Sequence, residues 1–280
     1  MTSMAAVHNI TIRPSDQGCR SGCNLGATLH VPDANADGCD AGTPRRARRR
    51  RYAVLILHPH PKMGGDQNNN VVMKLFGACS NAGFTALKVD TRGVGKSAGS
   101  STWTGMSEAE DVCNVVRYLL SDDPLVKHVE QVFVVGYSFG AAVGCTAVAG
   151  IGDDPFAEMK SGVAGIAAVS YPCGWLSWFL LGGHNKHVAA LGISRGTRFL
   201  DRDRIFFAIG TRDQWASVSQ VKKLASTIDG FDAARVVVVD GCDHFFYGHE
   251  AKVVQVLAWL LECVGGESKD AGGEDKEARL

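Results

Sequence analysis

Short apolar runs alternate with amphipathic segments along most of the chain. The apolar runs are continuous, which is typical of strands that are buried on both faces of a parallel sheet. The runs with this pattern are Tyr52–Leu57, Phe84–Val89, Gln131–Val135, Gly165–Ser170, Arg204–Ile209 and Arg235–Val239. Two earlier segments, Ile10–Ile12 and Ala27–Val31, alternate polar and apolar positions, and we expect them to join the same sheet as antiparallel strands.

Segments with helical periodicity separate these strands. They lie near Asn69–Asn81, Glu108–Leu120, Phe139–Ala149, Val218–Ile228 and Glu250–Cys263. Parallel strands joined by helices predict an α/β fold with a doubly wound, mostly parallel sheet and right-handed crossovers. Ligands of such sheets bind beyond the carboxyl ends of the strands, so the residues directly after each strand are the candidates for chemistry.

The length of 280 residues and an apolar content of 45% fit one domain with a substantial core. We expect this single domain to cover residues 1–264. Two segments within it depart from the strand–helix rhythm: an arginine-rich loop insert at 33–51 and a candidate small cap at 172–203. Residues 265–280 are charged and poor in apolar side chains, which predicts a disordered C-terminal tail.

The charge balance and the apolar runs argue against several classes of protein. The 29 basic and 29 acidic side chains cancel, whereas dedicated nucleic-acid-binding domains are usually basic. No apolar run reaches the roughly 18–20 residues that cross a bilayer, and Met1–Arg13 lacks the apolar stretch of a secretory signal. We therefore expect neither a nucleic-acid partner nor a membrane span.

The cysteine content favours reduced thiols. The nine cysteines are odd in number and scattered, which is typical of a cytoplasmic protein rather than of a disulfide framework. Cys19 and Cys23 form a close pair, but no second Cys/His pair at zinc spacing lies nearby. We expect no metal site.

A Gly-x-Ser-x-Gly motif, Gly136–Gly140, follows the third parallel strand. The motif makes a sharp strand-to-helix turn that exposes a serine hydroxyl above the sheet edge. The small residues Ala141 and Ala142 let the next helix pack closely on the strand. The motif predicts Ser138 as a nucleophile; the alternative is a glycine-rich turn with an incidental serine.

A serine hydroxyl becomes a good nucleophile only when a base takes its proton and an acid holds that base. Asp213 follows the fifth parallel strand and His244 the sixth, in the order serine, acid, histidine that suits this scaffold. His249 is the alternative base, although it opens the last predicted helix and a capping role fits it better. Asp243 is the alternative acid, although an immediate neighbour of His244 usually cannot reach its Nδ1.

The tetrahedral intermediate of acyl transfer also needs backbone N–H donors aimed at its oxyanion. We expect one donor to be the amide of Phe139, directly after Ser138. The second is expected from the loop after the first parallel strand, His58-Pro59-His60-Pro61. Prolines carry no N–H, so His60 is the candidate among the three residues that follow His58 in this loop.

Four motifs taken together point to a known family. They are His58–Pro61 with Gly64, Gly65 and Asn69, then Asp90–Ser97, then Gly136–Gly140, and then Asp243–Phe246. In this combination the chain resembles the α/β-hydrolase superfamily, and especially its small, nearly cap-less branch with an HPHP loop, related to dienelactone-hydrolase-like and serine-peptidase-like hydrolases. The resemblance covers roughly residues 52–263. It implies the α/β-hydrolase fold with a minimal cap segment, and the same catalytic and oxyanion roles as assigned above.

These residues predict a serine hydrolase that cleaves a carboxylic ester or thioester of a small-molecule acyl substrate through an acyl-enzyme, without a cofactor. A small serine peptidase or amidase with the same triad is the second hypothesis. A catalytically silent hydrolase fold that acts as a binding module is the third. Trp175, Trp178 and Phe179 follow the fourth parallel strand, and we expect them to line or cover the substrate pocket, with ordinary core packing of a surface helix as the alternative.

The last three residues, Ala278-Arg279-Leu280, resemble the terminal tripeptide read by the peroxisomal import receptor. Such a signal is recognised by a receptor and does not anchor the protein to a membrane. A cytoplasmic location is the first expectation, and peroxisomal import through this receptor is the alternative.

Overall fold

The fold is built on a sheet whose central strands are buried along almost their whole length. A computed structural model describes residues 6–14, 23–33, 48–151, 157–174, 184–191, 193–194, 197–198 and 200–270. The strands are β1 (Ala6–Ile12), β2 (Leu25–Val31), β3 (Tyr52–Leu57), β4 (Thr85–Val89), β5 (Gln131–Tyr137), β6 (Val163–Val169), β7 (Ile193–Ser194), β8 (Thr197–Arg198), β9 (Ile205–Arg212) and β10 (Val237–Asp243). β7 and β8 form a separate two-stranded ribbon, and the other eight form one sheet.

The order of strands in the main sheet is β1-β2-β4-β3-β5-β6-β9-β10. β1 pairs antiparallel with β2, and β2 pairs antiparallel with β4. All pairs from β4 onward are parallel. The expectation of a mostly parallel sheet with an antiparallel start is therefore confirmed.

Helices cover both faces of this sheet. They are α1 (Asn70–Asn81), α2 (Met106–Leu119), α3 (Phe139–Ile151), α4 (Asn185–Ala189), α5 (Val218–Ala225) and α6 (Gln255–Asp270). Short 3₁₀ turns occur at Pro61–Met63, Ala157–Gly162, Arg202–Arg204, Ala233–Arg235 and Glu250–Val254. Apolar side chains of α2, α3 and α5 share one core cluster, and those of α1 and α6 share the cluster on the opposite face. This is the doubly wound arrangement that the alternation of elements predicts.

Three strands run further at their carboxyl ends than the hydrophobic pattern predicts. β5 continues to Tyr137, β9 to Arg212 and β10 to Asp243, because the parallel pairing persists to Tyr137 with Val169 and to Asp243 with Arg212. The residues expected to carry chemistry therefore lie directly at the ends of paired strands.

The last helix continues beyond its predicted end at Cys263. Residues 265–270 belong to α6, where the sequence predicts a disordered tail from 265 onward. Adding residues to an existing helix is far easier than starting one, which accounts for the continuation. None of the helices in the described ranges is long and apolar enough to cross a membrane.

Several predicted features lie outside the described residues. They are the greater part of the arginine-rich insert (34–47), the Trp175, Trp178 and Phe179 segment, and residues 271–280 with the terminal tripeptide. The domain limits and the cytoplasmic or peroxisomal location stay predictions.

Candidate active site

The turn from β5 into α3 carries Ser138 at the carboxyl edge of the sheet. Ser138 has a φ of 56°, in the left-handed region that residues other than glycine seldom occupy. Its N–H donates to the carbonyl oxygen of Val169 at 2.9 Å, so neighbouring β6 holds the turn in place. Backbone strain of this kind clusters at functional sites.

The two glycines of the motif are needed for close approach of the backbone. A Cβ on Gly136 would lie 2.3 Å from the carbonyl oxygen of Gly140, and one on Gly140 would lie 2.6 Å from that of Leu57. Neither contact is sterically acceptable. The turn thus has the tight form that the Gly-x-Ser-x-Gly motif predicts.

The structure brings Ser138, His244 and Asp213 together in one hydrogen-bonded chain. His244 Nε2 lies 2.8 Å from Ser138 Oγ, and His244 Nδ1 lies 2.8 Å from Asp213 Oδ2. An ionised carboxylate only accepts, so Nδ1 carries the imidazole proton and Nε2 is left to accept the serine O–H. The side chains of His244 and Asp213 are 5% and 0% exposed, which shields both contacts from water.

The carboxylate of Asp213 is held from its other side as well. Its Oδ1 accepts the N–H groups of Trp215 at 2.8 Å and of Ala216 at 3.1 Å. These two donors fix the rotation of the carboxylate. Oδ2 is therefore presented to His244 in a single orientation.

The two alternative residues have other partners. Asp243 Oδ1 accepts the N–H of Phe245 at 3.0 Å, and His249 Nδ1 lies 3.2 Å from the carbonyl oxygen of Tyr247. Asp243 is a turn residue here, and His249 precedes the 3₁₀ turn at Glu250–Val254. The geometry favours Asp213 and His244 over both.

Two residues that the sequence reasoning missed hold the backbone of His244. Tyr137 Oη donates to the His244 carbonyl oxygen at 2.7 Å, and the His244 N–H donates to Gln214 Oε1 at 3.0 Å. Burial raises the pKa of Tyr137, so its phenol remains a donor at neutral pH. Tyr137 precedes Ser138 and Gln214 follows Asp213, and this adjacency was the one available signal.

The predicted oxyanion donors are the backbone amides of Phe139 and His60. Phe139 is the first residue of α3, so its N–H has no carbonyl partner within the helix. The His60 and Phe139 rings pack with centroids 4.4 Å apart, and both residues line the same cavity as Ser138. Their role as oxyanion donors stays a prediction.

The side chain of His60 holds its own loop. Its Nδ1 accepts the N–H of Lys62 at 3.2 Å, and its Nε2 lies 3.4 Å from the carbonyl oxygen of Trp103. Burial lowers the pKa of His60, which favours the neutral ring that this pair of contacts requires.

His58 ties the loop after β3 to the loop after β4. Its Nδ1 donates to the carbonyl oxygen of Pro59 at 2.6 Å, and its Nε2 accepts the N–H of Thr91 at 3.0 Å. Burial lowers the pKa of His58 and keeps the ring neutral, as the Thr91 contact demands. Asp90 adds to the tie by accepting the backbone and side-chain N–H groups of Gln67 at 2.9 and 2.7 Å. His58 is thus a structural residue.

A cavity of about 270 Å³ opens above Ser138. Its walls include Met63, Trp215, Phe245 and Tyr247, and the sequence predicted none of these as a pocket residue. Among the described residues, its lining contains no aspartate, glutamate, lysine or arginine. Among the residues that the structure describes, no three or more histidine, cysteine or acidic side chains form a group that could bind a metal.

Solved structures of proteins from several organisms share this architecture. An α/β serine hydrolase homologue from Coxiella burnetii matches 89% of this chain and 95% of its own, with a TM-score of 0.62 and 22% identity. A serine hydrolase from Xanthomonas campestris, described as lacking a lid, matches 94% of each chain with a TM-score of 0.61 and 18% identity. The chain has the α/β-hydrolase fold. An esterase from Pyrococcus furiosus also matches, over 91% of this chain and 92% of its own, with a TM-score of 0.61 and 17% identity.

At the level of the fold, the α/β-hydrolase resemblance seen in the motifs is confirmed. No protein-family model matches the chain. An uncharacterized protein from Rickettsia prowazekii is 34% identical over 88 residues. That match spans 31% of this chain and 35% of the relative, about a third of each protein.

Proposed function

We propose that the protein is a serine hydrolase that cleaves a carboxylic ester or thioester through an acyl-enzyme on Ser138. The observation that carries the proposal is the chain of 2.8 Å contacts from Ser138 through His244 to Asp213 at the edge of a cavity. A buried serine–histidine–carboxylate chain at a strained strand-to-helix turn is the arrangement that nucleophilic acyl transfer requires. The α/β-hydrolase fold supports it.

The proposed reaction has two halves. His244 Nε2 takes the Ser138 proton while Oγ attacks the substrate carbonyl carbon, and the amides of Phe139 and His60 stabilise the resulting oxyanion. As the tetrahedral intermediate collapses, His244 returns that proton to the leaving alcohol or thiol. A water molecule then repeats the sequence on the acyl-enzyme, with Ser138 as the leaving group. Asp213 stabilises the imidazolium in both halves.

The cavity lining supports an uncharged substrate. A charged acyl group would lose its hydration there without finding an opposite charge among the described lining residues. The cavity volume of about 270 Å³ lies near the lower end of the usual range for small-molecule sites. We propose small, uncharged esters and thioesters as the substrate class.

The test is Ser138→Ala, with Ser226→Ala as the matched control. Ser226 also loses a hydroxyl, but its Oγ donates to the Lys223 carbonyl oxygen on the exposed surface, and Ser226 does not line the cavity. We expect Ser138→Ala to lower the turnover of a p-nitrophenyl ester by at least about 10⁴-fold and to abolish labelling by a fluorophosphonate probe. Ser226→Ala should retain both.

Circular dichroism of both variants checks that the fold is kept. A matched p-nitroanilide separates esterase from amidase activity, because we expect ester turnover to be much the faster. Near wild-type turnover by Ser138→Ala, or a wild-type protein that the probe does not label, would contradict the proposal.

A further inference from the structure

Two aromatic side chains beside His244 form one wall of the cavity. Phe245 and Tyr247, which we call the aromatic wall, stack with centroids 5.7 Å apart and planes 20° from parallel. Both line the cavity, yet they are 41% and 69% exposed. Exposed apolar surface that is concentrated at one place marks a site of recognition more often than an isolated exposed side chain does.

The backbone under the aromatic wall is fixed. Phe246, between the two rings, is fully buried at a φ of 55°, and its ring packs edge-on against Tyr137. The Phe245 N–H donates to Asp243 Oδ1 at 3.0 Å, and its carbonyl oxygen accepts from Asn70 Nδ2 at 3.1 Å. A surface that is held in this way loses little conformational freedom when a ligand binds to it.

The position of the wall indicates which part of a substrate it meets. The Phe245 ring lies edge-on to the His244 ring, with centroids 5.6 Å apart. In the proposed reaction His244 protonates the leaving oxygen, so the alcohol portion of an ester lies on the His244 side. The carbonyl oxygen points instead toward the amides of Phe139 and His60.

We infer that the aromatic wall is a subsite for the alcohol portion of the substrate, selecting esters of alcohols that carry a planar aromatic ring. This inference rests on the proposed function. Aromatic rings pair favourably in offset-stacked or edge-to-face geometry, and such a pair adds about three- to tenfold to binding beyond the apolar area that it buries. The uncharged lining seen among the described residues suits a neutral aromatic alcohol.

The test compares benzyl acetate with cyclohexylmethyl acetate, which share the acyl group and the carbon number but differ in planarity. Wild type should prefer benzyl acetate in kcat/KM. Phe245→Leu and Tyr247→Leu keep an apolar side chain without a ring, and each should lower the benzyl/cyclohexylmethyl ratio about three- to tenfold. Tyr247→Phe, which keeps the ring and removes only the hydroxyl, should keep the wild-type ratio.

The ratio is the readout because it does not depend on the fraction of folded enzyme. Val7→Ala, which trims an exposed apolar side chain on edge strand β1, is the control and should leave the ratio unchanged. Hydrolysis of both esters with an equal ratio in wild type and the leucine variants would overturn the aromatic subsite alone. Failure of wild type to hydrolyse either ester, together with no fluorophosphonate labelling, would overturn the proposed function itself.

Discussion

Asp213→Asn should stop ester hydrolysis without disturbing the fold, because it reverses one hydrogen bond. The wild-type Oδ1 accepts the N–H groups of Trp215 and Ala216. An asparagine must place its carbonyl oxygen there, since its NH₂ group would face two donors. The NH₂ then points at His244 Nδ1, which has to accept, and the imidazole proton moves to Nε2. A ring protonated at Nε2 cannot take the Ser138 proton.

The expected size of the effect follows from that change of tautomer. The same replacement in a Ser-His-Asp protease lowers kcat about 10⁴-fold, which corresponds to about 5 kcal/mol of barrier. We expect a loss of the same order here, measured as steady-state kcat on a p-nitrophenyl ester at neutral pH. The melting temperature should change little, because the carbonyl oxygen of the asparagine keeps both backbone contacts.

Asp232→Asn is the matched control for this variant. Asp232 Oδ1 also accepts a backbone N–H, that of Ala234 at 2.8 Å, but it caps an exposed 3₁₀ turn away from the site. Asparagine serves as well as aspartate at such a position, so kcat should be unchanged. A kcat for Asp213→Asn within tenfold of wild type would refute the tautomer argument, and with it the assignment of Asp213 as the orienting acid.

Three further predictions concern residues that support the site. Burial lowers the pKa of His58 in the folded state, so His58 contributes stability above its unfolded pKa of about 6.5, and this contribution is lost as the pH falls. In His58→Asn, the free energy of unfolding in urea should therefore depend less steeply on pH between pH 8 and 5, by up to about 1.4 kcal/mol per pH unit. Gly140→Ala forces a Cβ against a β3 carbonyl oxygen and should lower the melting temperature sharply. Gly150→Ala, in the same helix, places its Cβ in open space and should leave the melting temperature unchanged or raise it. Equal melting temperatures of the two variants would contradict the steric argument. Tyr137→Phe removes the hydrogen bond to the His244 carbonyl and should lower kcat about tenfold, and an unchanged kcat would show that this contact does not position the ring.

The features that the sequence predicted are those with a strong one-dimensional signal. Continuous apolar runs mark β3 to β6 because strands that are buried on both faces are apolar at most positions. Ser138 stands in a motif whose glycines are demanded by contacts of under 3 Å, so the turn is legible without a structure. Asp213 and His244 follow from the rule that parallel strands end at one edge of the sheet.

The features that were missed depend on contacts between distant segments. Three aromatic residues in succession, Phe245 to Tyr247, have the pattern of core, yet Phe246 is buried at a left-handed φ while the rings on either side of it are exposed. Gln214 shows no motif, and its contact with the His244 N–H arises from the approach of two strand ends.

The Tyr137 side chain has a consequence for how the protein responds to heat. β5 and β10 are three strand spacings apart, roughly 14 Å, and each spacing adds its own twist, so thermal motion of the sheet would accumulate between Ser138 and His244. The phenol joins the residue before Ser138 directly to the backbone of His244. The segments that carry the nucleophile and the base are thereby joined by a direct contact, in addition to the three strand pairings that lie between them. On warming, we expect ester turnover to persist until the whole domain melts, with no earlier inactivation step.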